Sequence, residues 1–313
     1  MLQGRQRYIQ YLRGLLAGHL PAPGIVDGKI TLGYGSPLPA LILGESVPRF
    51  EIPPPMASVC DSFGHQRPAY RGLLGHAWAR AMCRGWQPAN PDILQSWFVD
   101  LAARIDVKHL PAGPVSAVHG FELCQQAWFA LAVYSGGIAL ERPAWTQLGH
   151  QVFEALLRIG ISSTVGSSAM PGPHSSPVGE AGRGCASPTK PVANVPTSTP
   201  RGTFMTTGMD DNLESWWHHE LVLLHAATSY AAPRRDPRWQ SFLQKSAEHH
   251  FAETQPDHAS TQPWGISAFL LFPHTISLAD QMIHAAVVQG GGHPEAVSML
   301  LFADALNCRE RAG

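Results

Sequence analysis

The stretch Leu213-Glu-Ser-Trp-Trp-His-His-Glu-Leu-Val-Leu-Leu-His-Ala-Ala-Thr-Ser-Tyr-Ala231 has the clearest helical pattern in the chain. Successive residues of an α-helix are rotated by about 100°, so residues at similar angles share one face. The apolar side chains of one narrow stripe are Leu213, Trp217, Leu224, Ala227 and Ala231. Glu220 lies in the middle of this stripe, so we expect its carboxylate to face the core.

The position of Glu220 has two interpretations. Burying an unpaired carboxylate costs several kcal/mol, or raises its pKa until the group is neutral, so the residue needs a partner or a task. It either accepts hydrogen bonds as a tie between helices or serves as a general acid/base or ligand-binding group at the floor of a pocket. The pair His219-Glu220 does not make a zinc-protease helix, because the HExxH pattern requires histidine where Leu223 stands.

Helical periodicity continues on both sides of this stretch and predicts an all-α fold. Asn90-Pro91 and Asp236-Pro237 each place a capping side chain before a proline at the first helical position. We predict helices at 69–84, 91–106, 117–135, 143–159, 212–231, 237–252, 264–272, 278–289 and 295–308.

A short internal repeat indicates how these helices pack. Phe121-Glu122-Leu123, Tyr134 and Trp145 are echoed by His219-Glu220-Leu221, Tyr230 and Trp239, and residues 69–106 give a fainter third copy. Helical hairpins with short connections pack antiparallel, and several side by side make either a curved solenoid or an α/α toroid. The arrangement over 69–308 resembles that of α/α-toroid proteins, a class that includes glycosidases, polysaccharide lyases and terpenoid cyclases. The resemblance implies a toroid-like or solenoid array at the level of the fold alone.

Proline, glycine and serine divide the chain into four parts. Residues 1–66 are predicted to form an N-terminal helix and an extended Pro/Gly-rich arm that can hold a small hairpin. Residues 161–203 have no periodic apolar pattern and are predicted to be a disordered linker or insertion. The helical hairpins fall into a first half, 67–160, and a second half, 204–313, which we expect to pack together, with two separate domains as the alternative.

Composition argues against several classes of partner. The 22 Lys+Arg and 23 Asp+Glu give a formal charge of −1, so there is no electrostatic footprint for nucleic acid or an anionic membrane. No stretch approaches the roughly 20 apolar residues of a membrane span. The five cysteines are scattered without a CxxC spacing, which is typical of reduced thiols. We therefore expect a soluble, cytoplasmic protein with neither nucleic acid nor membrane as a partner.

The segment 253–264 concentrates polar chemistry between two predicted helices. Its candidate residues are Glu253, Asp257, His258, Gln262 and Trp264. Functional groups are often held on loops that a rigid scaffold positions, and two carboxylates with aromatic walls suit acid/base chemistry on carbohydrates. Trp217 is the candidate for a second wall. The alternative is that Asp257 makes a turn with its own backbone and that Ser260 or Thr261 caps the next helix.

Asp280 and His284 form a further candidate pair. Their i, i+4 spacing on the predicted helix 278–289 lets the two side chains meet. A carboxylate that orients an imidazole recurs in catalytic sites and behind metal ligands. The alternative is an ordinary pair on the surface of a helix.

These observations support two hypotheses about function. The first is a helical-repeat protein that binds a polar small molecule or a partner protein in a cleft built around Glu220 and the 253–264 segment. The second is an α/α-toroid enzyme, similar to glycoside hydrolases or lyases, that uses carboxylate acid/base chemistry. The candidate catalytic residues are Glu220, Glu253, Asp257 and His258, and the candidate ligand-binding residues are Trp217, Gln262, Trp264, Asp280 and His284. Because nucleotide-binding and metal-binding motifs are missing, we expect no cofactor and no metal.

Overall fold

The computed structural model describes residues 10–17, 25–33, 37–44, 49–61, 63–165, 202–206, 213–253, 262–292 and 294–312. These residues are mostly helical, as the periodicity predicts. The helices are α1 (residues 10–17), α2 (Leu38–Leu43), α3 (Tyr70–Met82), α4 (Pro91–Ala103), α5 (Gly120–Ala139), α6 (Pro143–Val165), α7 (Leu213–Ala231), α8 (Pro237–Glu253), α9 (Ile266–Leu271), α10 (Ile276–Gln289) and α11 (Ala296–Ala312). Short 3₁₀ turns occupy Val107–His109, Ala117–His119 and Pro273–Thr275.

Short strands connect segments that are distant in sequence. The strands are β1 (Ile25–Val26), β2 (Lys29–Thr31), β3 (Arg49–Phe50), β4 (Val59–Cys60), β5 (Gln87–Pro88), β6 (Val115–Ser116) and β7 (Met205–Thr206). β1 pairs antiparallel with β2, and β2 pairs parallel with β4. β3 pairs parallel with β5, and β6 pairs parallel with β7, with Val115 opposite Met205. β7 follows the predicted insertion, so its pairing with β6 connects the second half of the chain to the first half.

The proline-rich region before residue 66 is partly helical. Residues 38–43 form α2, where the sequence pattern predicts extended chain. Pro39 lies in the first turn, where its missing N–H costs nothing. Gly44 ends the helix at φ 77°, and its N–H donates to the carbonyls of Ala40 and Leu41. α2 packs against α3 and α11, so tertiary contacts stabilise a helix that is too short to form alone.

Consecutive long helices form antiparallel hairpins. Gly137 near the end of α5 faces Thr146 near the start of α6, and Gly149 lies against Tyr134, so the contacts run in opposite directions along the two helices. A Cβ atom at Gly149 would lie 2.6 Å from the carbonyl oxygen of Ala130, and the hairpin can close this tightly because the glycine has no side chain. α7 and α8 form a similar pair.

Several helices that are not consecutive run parallel. Between α3 and α5, Gly72 contacts Trp128 and Gly75 contacts Ala132, so the contacts advance together along both helices. The same progression joins α5 to α7, where Trp128 donates to the carbonyl of Val222 and Tyr134 packs edge-to-face against Tyr230. Helix packing also connects α7 with α9, α9 with α11, and α11 with α3. The two halves of the chain therefore share one core.

Helix α7 is buried on more than one side. Residues 220–231 of α7 are all buried, and Trp217 of the predicted stripe is half-buried. This burial follows from the position of α7, which packs against α5, α8, α9 and α11. In the described part of the chain, no helix combines the length and apolar character needed to cross a bilayer.

Candidate functional site

Glu220 lies in the core, with its side chain fully buried. One carboxyl oxygen, Oε1, accepts a hydrogen bond from the backbone N–H of Met205 at 2.5 Å, and Oε2 lies 3.8 Å from Nε2 of His250 on α8. Burial raises the pKa of Glu220 to about 8, although the backbone N–H groups of Phe204 and Met205 act in the opposite direction. Burial also lowers the pKa of His250 to about 4. Both groups are therefore neutral at pH 7.

The contact between Glu220 and Met205 positions a strand. Met205 belongs to β7, which pairs with β6 through Val115, and Thr206 Oγ1 also donates to the carbonyl of Val115 at 3.5 Å. Glu220 is fully buried and lines neither of the two cavities described below. Glu220 thus holds β7, which precedes α7 in the chain, through the hydrogen bond from Met205.

Three of the predicted site residues lie on the surface, whereas Glu220 is buried. Glu253 is exposed at the end of α8, one turn after His250. Asp280 and His284 are both exposed on α10. Asp257 and His258 lie outside the described residues. The predicted cleft is thus represented in the described chain by Gln262, Trp264 and the half-buried Trp217.

Gln262 and Trp264 are brought together in a buried polar chain. Trp264 Nε1 donates to Gln262 Oε1 at 3.0 Å, and Gln262 Nε2 donates to the hydroxyl of Tyr70 at 2.7 Å. The Tyr70 hydroxyl lies 3.5 Å from Oδ2 of Asp61. Burial raises the pKa of Tyr70, so the hydroxyl stays protonated and can donate to Asp61. This series of hydrogen bonds connects the segment before α9 to the first turn of α3.

A second buried carboxylate, Asp304 on α11, organises the largest polar cluster in the described chain. His76 Nε2 lies 3.0 Å from Oδ1 of Asp304, and the other ring nitrogen, Nδ1, lies 2.8 Å from Oγ of Ser135. Ser229 Oγ donates to Oδ2 at 2.5 Å, and His225 Nε2 lies 3.4 Å from the same oxygen. Burial alone would raise the pKa of Asp304, but the charge and hydrogen bonds of His76 and His225 outweigh it and hold the pKa well below its usual range.

The Asp304 cluster stabilises the fold and does not reach solvent. Ser135, His76 and Asp304 follow the order of a Ser-His-carboxylate triad, but each is at most 3% exposed. A substrate must touch the nucleophile, and Ser135 is buried and lines neither of the two cavities described below. The cluster instead ties α3, α5, α7 and α11 together. Asp304 is an acidic residue within the apolar run 297–308 of a predicted helix. The same kind of pattern pointed to Glu220, so the sequence could have indicated Asp304 as well.

A cavity with carboxylates, imidazoles and apolar side chains in its walls lies at the start of α5. It has a volume of about 510 Å³ and is lined by Asp106, His109, Leu110, Pro111, Val115, His119, Glu122, Leu123, Gln125 and Gln126. Asp106 accepts a hydrogen bond from Nδ1 of His109 at 2.6 Å, which leaves Nε2 of the imidazole available to a ligand. This hydrogen bond with His109 lowers the pKa of Asp106, so the carboxylate stays ionised. We call this space the histidine cavity.

Helix α5 holds the loop that carries Asp106 and His109. The side-chain amide of Gln126 accepts from the N–H of Asp106 at 2.9 Å and donates to the carbonyl of Arg104 at 3.0 Å. Asp106 also caps the short 3₁₀ turn, because its carboxylate accepts from the N–H of His109. Sequence reasoning missed this cavity, since its walls come from a loop, β6 and α5, whose proximity is a tertiary feature.

A smaller cavity adjoins the histidine cavity. It has a volume of about 260 Å³, and Gln125 lines both spaces. Its walls include Arg67, Arg71 and Arg104. We call it the arginine cavity.

Comparisons with known proteins leave the chain without a family. No family model matches it, and neither the curated proteins nor the solved structures contain a match. Among the described residues, no group of three or more His, Cys, Asp or Glu side chains is arranged to hold a metal ion. The geometry of the cavities is therefore the basis for assigning a function to this chain.

Proposed function

We propose that this protein binds a polar small molecule in the histidine cavity, on a toroid-like array of helical hairpins. The observation that carries the proposal is the convergence of Asp106, His109, His119 and Glu122 on one space of about 510 Å³. Binding sites for small molecules fall in the range of about 300 to 1,000 Å³ and combine apolar walls with a few placed polar groups. Leu110, Pro111 and Leu123 supply the apolar part.

The packing of the helices supports a toroid-like array. The contacts α3–α5, α5–α7, α7–α9, α9–α11 and α11–α3 return to their starting point, as an inner ring requires. α4 and α6 pack on α5, α8 packs on α7, and α10 packs on α9, as the outer helices of such a ring would. His76, Ser135, His225 and Asp304 connect four of the inner helices through the Asp304 cluster.

The location of the histidine cavity fits this array. Gly72, in the first turn of α3, lies against Trp128, which is more than two turns into α5. The first two turns of α5 therefore extend past the start of α3, and His119, Glu122 and Gln125 lie on or next to these turns. Ligand sites between helices at one end of a bundle are a common arrangement.

Acid/base catalysis is the second candidate function, and one observation favours it. Asp106 orients the imidazole of His109 as carboxylates orient the bases of many active sites, and Glu122 offers a second carboxylate in the same space. In this version, His109 accepts a proton from the substrate and Glu122 acts on the leaving group. Glu220 contributes by holding β7 and, through β6, the wall that contains Val115.

The proposal predicts that ligand binding depends on His109. A ligand that binds only the folded state adds about 2.7 kcal/mol to the free energy of unfolding when its concentration is a hundredfold above Kd. The melting temperature rises as a result. In a thermal-shift screen against neutral sugars, uronates and other polar metabolites, we expect a hit whose shift falls by more than half in His109→Gln and in Glu122→Gln. His284→Gln changes an exposed histidine on α10 and should keep the full shift.

The same screen can contradict the proposal. If every compound that stabilises the wild type also stabilises His109→Gln and Glu122→Gln to the same extent, the histidine cavity is not the binding site. A second outcome would also contradict the proposal: no compound stabilises the wild type, and an interaction with a protein partner survives both substitutions. The protein would then be a helical-repeat protein that binds a partner protein.

A further inference from the structure

The arginine cavity carries a concentrated positive charge. Arg71, Arg104 and Arg67 contribute guanidinium groups to it. Asp100 is the carboxylate that balances them, since it accepts from Arg71 Nη2 at 2.8 Å and from Arg104 Nε at 3.0 Å. Three arginines thus line the cavity, and Asp100 forms ion pairs with two of them.

Several protein groups hold Arg71 in place. Its guanidinium donates to the carbonyl of Ala57 at 2.8 Å and to the carbonyl of Pro55, in addition to Asp100. It also lies over the ring of Trp97, with 3.9 Å between the guanidinium carbon and the ring centroid. A cation held in this way loses little conformational entropy when an anion binds beside it.

Arg67 is the cation that remains available. Its side chain is exposed, and within the described ranges it forms no hydrogen bond and no ion pair. The positive charge of Arg67 acts on two nearby histidines. Burial, followed by the charges of His219 and Arg67, lowers the pKa of His218 to about 3, and burial and Arg67 lower the pKa of His219.

The remaining walls of the arginine cavity suit an organic anion. Phe121 is 49% exposed and offers an aromatic face, and Met56 is 80% exposed. Ser58, Gln66 and Gln125 supply neutral hydrogen-bonding groups. An arginine fork matches the geometry of carboxylate, sulfate and phosphate groups.

We propose that the arginine cavity binds the anionic group of the ligand whose polar body occupies the histidine cavity. The ligand is then an acidic polar molecule, with a carboxylate, sulfate or phosphate group, that spans both spaces across Gln125. This proposal rests on the proposed function for the position of the polar body. The anion site itself stands on the three arginines and can be tested alone.

Calorimetric titrations with simple anions test the anion site. Acetate, sulfate and phosphate are titrated separately into the full-length protein at constant ionic strength, so that their affinities rank the three possible anionic groups. We expect at least one anion to bind the wild type, and to bind Arg67→Gln roughly tenfold more weakly or worse, the loss expected for one charged hydrogen bond. Arg158→Gln removes an exposed arginine from α6 and should leave the affinity unchanged.

The controls separate this proposal from the proposed function. His109→Gln should keep the affinity for the simple anion, since its side chain lies in the histidine cavity. If no anion binds the wild type at concentrations up to roughly 50 mM, or if Arg67→Gln binds as tightly as the wild type, the anion site is wrong, whatever the histidine cavity binds. If anion binding depends on Arg67 but no hit from the thermal-shift screen depends on His109, the anion site stands and the proposed function fails.

Discussion

Asp304→Ala is expected to lower the free energy of unfolding by about 3 to 5 kcal/mol, since it removes one member of a buried ionic cluster and leaves its partners unpaired. His76 and His225 lose the carboxylate that lies 3.0 and 3.4 Å from their ring nitrogens. Ser229 loses its hydrogen bond to Oδ2 of Asp304 and keeps the carbonyl of His225 as an acceptor. A small domain has roughly 5 to 15 kcal/mol of total stability, so this single change removes a large part of it.

Chemical denaturation of matched variants measures the effect of Asp304. Asp304→Asn keeps the volume and one acceptor oxygen, so we expect a smaller loss and a folded protein in case the alanine variant does not fold. Asp280→Ala removes an exposed aspartate from α10 and should change stability by less than about 0.5 kcal/mol. Equal unfolding free energies for Asp304→Ala and Asp280→Ala would show that the cluster does not hold the inner helices together.

Glu220→Gln is expected to change how stability depends on pH. The pKa of Glu220 is raised from 4.5 to about 8, so the folded chain holds this proton more tightly than the unfolded chain. The wild type therefore loses stability as the pH rises from about 4.5 to about 8, by up to about 5 kcal/mol at roughly 1.4 kcal/mol for each pKa unit. Glutamine cannot ionise, and its carbonyl can still accept from the N–H of Met205.

Unfolding curves at several pH values test this expectation. Above pH 8, Glu220→Gln should be more stable than the wild type, and near pH 4.5 the difference should disappear. Glu253→Gln removes an exposed glutamate at the end of α8 and serves as the control. If the stability of the wild type changes between pH 5 and pH 8 in the same way as that of Glu220→Gln, the buried, neutral state of Glu220 is contradicted, whereas Glu253→Gln should keep the pH profile of the wild type.

Local sequence signals predicted the long helices because capping and periodicity act over a few residues. Asn90 accepts from the N–H of Ile93 at 3.2 Å and starts α4 where the sequence places it. Asp236 likewise accepts from the N–H of Arg238 at 2.9 Å at the start of α8. Helix α2 and the strand pairs could not be predicted in this way, since they depend on partners that are distant in sequence, as in the pairing of Val115 with Met205.

The same distinction applies to the candidate site. Periodicity pointed to Glu220 because a helix turns every 3.6 residues, whatever surrounds it. It could not show that the partner of Glu220 is a backbone N–H beyond the predicted insertion. The proximity of Asp106 and His109 to Glu122, and of Arg67 to Arg71 and Arg104, follows from the way in which loops pack on α3 and α5.

Crystals of the wild-type protein soaked with a library of small polar fragments offer the most direct test of the histidine cavity. Such a screen reports where ligands bind without requiring the natural ligand. We expect fragments to collect between His109, His119 and Glu122, with a hydrogen bond to Nε2 of His109. An empty histidine cavity, with fragments clustered on another face of the protein, would contradict the assignment.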